Sequence, residues 1–206
     1  MTQTFIVGPT PKSKTVQAVS TISGAASSSG LIKIATTAPH NLETGDCIQN
    51  AGVTGTVEAN GLWTVTVVDG THFTLNNSVF ANAYVSDGTV AHVGYASVGL
   101  DVGNSLFYPP PNNLTAIVKL HSAPVNVTCR AILEDASDAG FTTGMAAFTT
   151  AFGGGVAPGN DLRRDFRYAD VPDVRLASSG DYMRLKILWG KPVVGATFAF
   201  TSWLEY

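Results

Sequence analysis

Apolar residues recur at every second position along most of the chain, and Gly, Pro, Asn or Asp breaks the alternation about every ten residues. This is the pattern of half-buried strands, and no stretch carries the three-to-four spacing of an amphipathic helix. The clearest segment is Asn60 to Leu75, "NGLWTVTVVDGTHFTL", which puts Trp63, Val65 and Val67 on one face and Thr64, Thr66 and Val68 on the other. Its Asp69-Gly70 pair is the usual mark of a two-residue hairpin turn. Such a turn would set Val67 opposite His72 and mix the faces, whereas residues opposed across an antiparallel pair point to the same side. The pattern therefore predicts an odd-length loop of three or five residues, pairing Val67 with Phe73, Thr66 with Thr74 and Val65 with Leu75.

The same reading predicts strands near 15–22, 31–36, 46–51, 62–68, 72–76 and 88–94, with "SGAASSSG" (23–30) as a small-residue loop. These strands make a small β-barrel module over residues 15–95, closure removing its exposed edges. Residues 1–14 read as an extended N-terminal arm, because Pro9 and Pro11 bar a regular central strand. Pro109, Pro110 and Pro111 mark a second boundary. Beyond it the alternation lengthens: Val125, Val127, Cys129, Ala131 and Leu133 point inward, as do Met183, Leu185, Ile187 and Trp189, with Arg184 and Lys186 outward. Near the end, Phe198 and Phe200 share one face and Trp203 takes the other. Two sheets packed through such faces give an antiparallel, jelly-roll-like β-sandwich over 96–206. The arm and the first strand fit that sandwich equally well, which would make the barrel an insertion. Helical turns are expected only around 134–139 and 145–148, so the predicted fold class is all-β.

Composition narrows the function. Charged residues are 13% of the chain, about half the usual share, which suits a surface partly covered by neighbours. The net charge of −3 offers no positive field, so nucleic acid is not expected as a direct partner. Six basic residues lie between Arg163 and Lys186 among Asp161, Asp165, Asp170, Asp173 and Asp181, a pattern read as a salt-bridged, solvated strand face. Cys47 and Cys129 stand apart in apolar surroundings and are expected as buried reduced thiols, as in a protein assembled in a reducing cytosol. The first residues lack signal-peptide features, and no apolar run approaches the roughly 20 residues of a membrane span.

Candidate chemistry is sparse. There is no G-x-S-x-G, His40, His72, His92 and His121 lack metal-ligand spacing, and "GGG" (153–155) is not followed by the Lys-Ser/Thr of a phosphate loop. Glu134, Asp135 and Asp138 fit a turn better than a calcium loop. No catalytic residue, cofactor or metal is therefore expected, and the chain is not read as an enzyme. Candidate partner-contact residues are Phe5 and Ile6 on the arm and Phe107 and Tyr108 before the proline run.

Two segments resemble known proteins. "HNLETGD", "AGVTGTVEANGLWTVTVVDGTHFTL" and "AYVSDGTV" resemble a small β-module that recurs in tailed-bacteriophage structural proteins. Its pattern falls on His40, Leu42, Thr44, Gly45 and Asp46; on Gly52, Val53 and Gly55; on Asn60, Gly61, Trp63 and Val65; and on Phe73 and Leu75, with Thr74 one place late. The module is also likened to a small barrel of ubiquitin-activating enzymes, a likeness of fold that implies no activity. "VNVTCRAILEDASDAGFTT", "VPDVRLASSGDYMRLKILWG" and "ATFAFTSWLEY" resemble jelly-roll phage head proteins, a layout shared by cement proteins of short-tailed phages. The small barrel is a departure from that layout. The resemblance implies a virion protein: a capsid cement or decoration protein, a homotrimer on the capsid surface, binding the major capsid protein after assembly in the bacterial cytoplasm. The alternative it implies is a tail or baseplate component that contacts the host.

Overall fold

The computed structural model describes residues 3–18, 21–101, 114–123, 128–136, 138, 140–141, 146–147, 161–166, 182–190 and 193–205. Among these the chain forms fourteen strands and, as the one helical element, a 3-10 turn at Val57–Ala59. In chain order the strands are β1 (Gln3–Thr15), β2 (Ile22–Ser28), β3 (Leu31–Thr36), β4 (Asp46–Ala51), β5 (Gly61–Val67), β6 (His72–Leu75) and β7 (Thr89–Ala96). They continue with β8 (Leu100–Asp101), β9 (Leu114–Ser122), β10 (Thr128–Ala136), β11 (Ala146–Ala147), β12 (Asp161–Phe166), β13 (Tyr182–Gly190) and β14 (Thr197–Glu205). The fold is all-β. The chain divides into two compact units, a larger one from Met1–Lys14, Ser97–Gly190 and Thr197–Tyr206, and a smaller one from Thr15–Ala96 and Lys191–Ala196.

The larger unit is sandwich-like. One sheet runs β1-β14-β9-β12, with β9 antiparallel to both β14 and β12. In the other, β10 pairs antiparallel with β11 and β13, and β13 with β8. The period-two pattern places Cys129 and Ala131 directly across from Trp189 and Ile187. All four are buried, as are Leu185 beside them and Ile117, Leu120, Phe198 and Phe200 from the first sheet. Trp189 stacks flat on Phe198, ring centroids 4.7 Å apart, joining the two sheets. Burying each of the large side chains contributes about 1.5–3 kcal/mol. The segment read as an arm runs as β1, at the sheet edge beside β14. An edge tolerates Pro9 and Pro11, since the absent N–H groups need have no ladder partner on the open side.

The smaller unit strings its strands in the order β2-β3-β6-β5-β4-β7, each adjacent pair antiparallel. The Ile22 N–H donates to the Gly88 carbonyl at 3.0 Å, bringing the start of β2 to the start of β7. Inside lie Ile32, Ile34, Leu42, Ile48, Val53, Val65, Phe73 and Leu75. The β5–β6 register is Val65 to Leu75, Thr66 to Thr74 and Val67 to Phe73, as the alternation predicts, leaving five residues from Val68 to His72 between the last pair. Asp69 knits that loop by accepting the Thr71 N–H at 2.8 Å and His72 Nδ1 at 2.9 Å. The Thr71 N–H foremost, and then His72, hold its carboxyl at about 2, below the ordinary 3.8.

Three expectations are corrected. "SGAASSSG" is mostly strand: β2 pairs Ala25 with Ile34 and Ser27 with Ile32, and the turn shrinks to Ser29 and Gly30, both left-handed (φ 50° and 84°). Small side chains give no hydrophobic alternation, so the pattern could not reveal that strand. The expected helical turns are absent from the described parts of both stretches, since Glu134–Ala136 ends β10 and Ala146–Ala147 is β11. Arg184 is buried rather than solvated, because Glu134 pairs with it and the Phe141 ring covers it.

Candidate functional site

Nearly every polar residue of the recurring-module pattern is held by the backbone of the smaller unit. His40 is buried, accepts the Leu42 N–H on Nδ1 at 3.0 Å, and meets the Phe73 ring edge-on. Thr44 Oγ1 accepts the Val67 N–H at 3.0 Å, and Asp46 Oδ2 accepts the Glu43 N–H at 2.8 Å. Asn60 pairs through both side-chain atoms with the Val53 backbone, at 2.9 and 3.0 Å, imitating a strand partner. Trp63 Nε1 donates to the Ala59 carbonyl at 2.9 Å. Gly45 sits at φ 95°, where a Cβ would lie 2.7 Å from the Ala96 carbonyl. The chemistry these positions carry is chiefly hydrogen bonding to the main chain.

Two His–carboxylate pairs stand among the described residues: His72 Nδ1 and Asp69 Oδ1, 2.9 Å apart, are exposed and tie one loop together, while His92 Nε2 and Asp46 Oδ2 lie 3.6 Å apart with each side chain only 1% exposed. The Gln17 N–H donates to His92 Nδ1, so the ring proton sits on Nε2 and donates to the Gly94 carbonyl, both at 3.0 Å. A base so enclosed has no substrate within reach. Cys47 and Cys129 are free and buried, and burial pushes the Cys129 thiol up to about 11, away from the reactive thiolate. Among the described residues no group of three or more His, Cys, Asp or Glu side chains could hold a metal ion, and no helix is long and apolar enough to cross a membrane.

In the larger unit, Glu134 on β10 faces Arg184 directly across on β13, with Lys186 diagonal to it. Arg184 Nε donates to Glu134 Oε2 at 2.7 Å and Lys186 Nζ to Oε1 at 3.0 Å. The Phe141 ring covers the guanidinium 4.2 Å from its centroid, from a backbone held at φ 55°, rare for so large a residue. The solvated face expected here is instead, at Arg184, a covered ion network.

The best candidate for an outward function is a pair of loops on the smaller unit, residues 52–60 and 79–88. They are stitched together. The Val85 N–H donates to the Thr54 carbonyl and the Thr54 N–H to the Ser86 carbonyl, both at 3.0 Å. The buried Thr56 hydroxyl donates to the Asn82 carbonyl at 2.8 Å. Glu58 Oε1 accepts the N–H groups of Ala81 and Asn82, each at 2.7 Å. On this frame Val57 is 59% exposed and Val79 and Val85 each 73%, with Leu62 exposed at the start of β5. Both loops reach a cleft of about 540 Å³, lined by Thr21, Ile22, Gly52, Asp87, Gly88 and Thr89.

The Asn82 N–H is the largest influence holding Glu58 at about 2, below its ordinary 4.5. A depressed carboxylate stabilises fully above the higher value and loses that contribution as pH falls toward the lower one. Protection of the Ala81 and Asn82 amides from hydrogen exchange is therefore expected to fall between pH 4.5 and about 2. The loss should vanish in Glu58→Gln, and protection that stays flat in the native chain would refute the clamp.

Of the partner-contact residues expected from sequence, Phe5 and Ile6 fall in β1 with side chains outside the described ones, and Phe107 and Tyr108 lie outside the described residues altogether. Sequence reading passed over Val57, Val79 and Val85. The available signal was a lone valine in each of "TGTVEANG", "NNSVFANA" and "AYVSDG", segments rich in turn residues. No protein-family model matches the chain, and no curated protein matches it in sequence.

Proposed function

We propose that the chain is a structural protein of a tailed-bacteriophage particle, a cement protein that binds and reinforces the shell of major capsid protein. The observation that carries this reading is how the side chains of the smaller unit are deployed. The buried His40 and His92 are tied to the backbone and the exposed His72 is tied to Asp69 within its own loop, while bulky apolar residues stand exposed on loops that are already ordered. Such a surface acts by covering another. A stable contact buries on the order of 1,200–2,000 Å², and a homotrimer repeating it across a lattice gains avidity without new contacts. No covalent step, cofactor or nucleic acid enters this role.

Microscopy of purified particles tests it. Density for both units over the shell, at the junctions between capsid subunits, is the expected result. Density on the tail or baseplate would move the function there, and absence from the particle would sink it.

A further inference from the structure

We infer that the stitched loop pair of the smaller unit is the docking face, and that its partner is a protein surface whose apolar patch is rimmed by Lys or Arg. The inference rests on the reading of the chain as a contact-making protein and adds which face makes contact and with what chemistry. Three observations converge on it.

The first is preorganisation. Ordering side chains and loops at an interface costs about 0.5–1.5 kcal/mol for each rotamer-rich side chain. Val57, Val79 and Val85 have one side-chain torsion each, and β-branching restricts it. The frame beneath them is fixed by the Thr54–Ser86 bridge and the Glu58 clamp. Gly55 lets the two loops approach until a Cβ there would lie 2.2 Å from the Ala83 carbonyl. Rigid loops that expose valine lose little on binding and gain the burial of their methyl groups.

The second is charge. Between Lys33 and Lys119 the chain has no Lys or Arg, while Glu43, Asp46, Glu58, Asp69, Asp87 and Asp101 all fall in that span. Glu58 and Asp87 belong to the loop pair itself, and Glu58 stays ionised down to about pH 2. Carboxylates on the same loops as exposed valines favour cationic groups on the partner and disfavour anionic lipid and nucleic acid.

The third is the cleft. Asp87 forms part of its wall, with a backbone at φ 64°, and its Oδ2 accepts the Ser86 hydroxyl at 2.9 Å. About 540 Å³ has ample room for one extended basic side chain, and the Asp87 carboxylate at its wall supplies the charge to meet it.

The test uses the full chain in cells that produce the particle, with a benzophenone amino acid at position 79 or 85 and the cross-linked peptide sequenced. A link to another protein, at an apolar segment with Lys or Arg beside it, is the expected result. A link to a second copy of this chain, to glycan or lipid, or no link in particles that carry the protein overturns the inference. In parallel, Val79→Ser with Val85→Ser should weaken binding to the particle about tenfold with an unchanged unfolding curve. Asp87→Asn should weaken it several-fold at low salt, the difference fading at high salt. Full binding by both variants also overturns the inference. Shell density without a cross-link would uphold the cement reading and sink this one; tail density with the expected cross-link would do the reverse.

Discussion

Gly55→Ala is expected to unfold the loop pair of the smaller unit, whereas Gly52→Ala, three residues away, should leave it folded. Both glycines are left-handed, at φ 82° and 77°. At Gly52 an added Cβ meets nothing within 4 Å, so the cost is the left-handed penalty alone, about 1–2 kcal/mol. At Gly55 the same atom would lie 2.2 Å from the Ala83 carbonyl and 2.6 Å from the Val85 nitrogen. Both are backbone, and the Val85 N–H is bonded to Thr54, so relief requires breaking the seam between the loops. The expected destabilisation is about 3 kcal/mol or more. Amide exchange at Thr54 and Val85, together with urea unfolding, measures it, and equal stability of the two variants would show that the loops are not held together as described.

Removing the Glu134 carboxylate should strongly destabilise the larger unit. Glu134→Ala removes the 2.7 Å acceptor of Arg184, which is buried beneath Phe141, and Lys186 loses the same acceptor. Breaking a buried ion pair from one side typically costs about 3–5 kcal/mol, because the remaining charge stays desolvated. Lys186 is half-buried and can turn toward water, so the lower end of that range is the expectation here. Replacing both members, Glu134→Ala with Arg184→Met, should recover most of the loss, since an apolar side chain beneath the Phe141 ring needs no counter-charge. Denaturant unfolding of the two variants decides between a network that must be complete and one that contributes little.

The smaller unit was legible wherever side chains were large enough to report their side. Val65, Val67, Phe73 and Leu75 carried enough contrast with Thr64, Thr66 and Thr74 to set the register and reject the two-residue turn that Asp69-Gly70 advertises. Ser23 to Ser28 carried none, and a strand passed as a loop. The outward face of β13 was misread for a different reason. Alternation gives the side on which Arg184 lies, yet what covers that side depends on Phe141, which arrives from another strand's end. The candidate docking face failed to stand out because its defining property is rigidity. The stitching runs between residues more than twenty positions apart, such as Glu58 with Asn82 and Thr54 with Ser86, and no local window contains both partners.

The position of β1 beside β14 sets an order on biosynthesis. Every other described strand emerges from the ribosome between those two, so the sheet that needs both remains unfinished until translation has passed β14. Residues 15–96 of the smaller unit, by contrast, are made in one continuous run and can collapse while the larger unit still lacks strands. Through that interval β1 is a lone ribbon able to recruit a foreign strand, and the ring nitrogens of Pro9 and Pro11 withhold two of the donors such a mispairing would use.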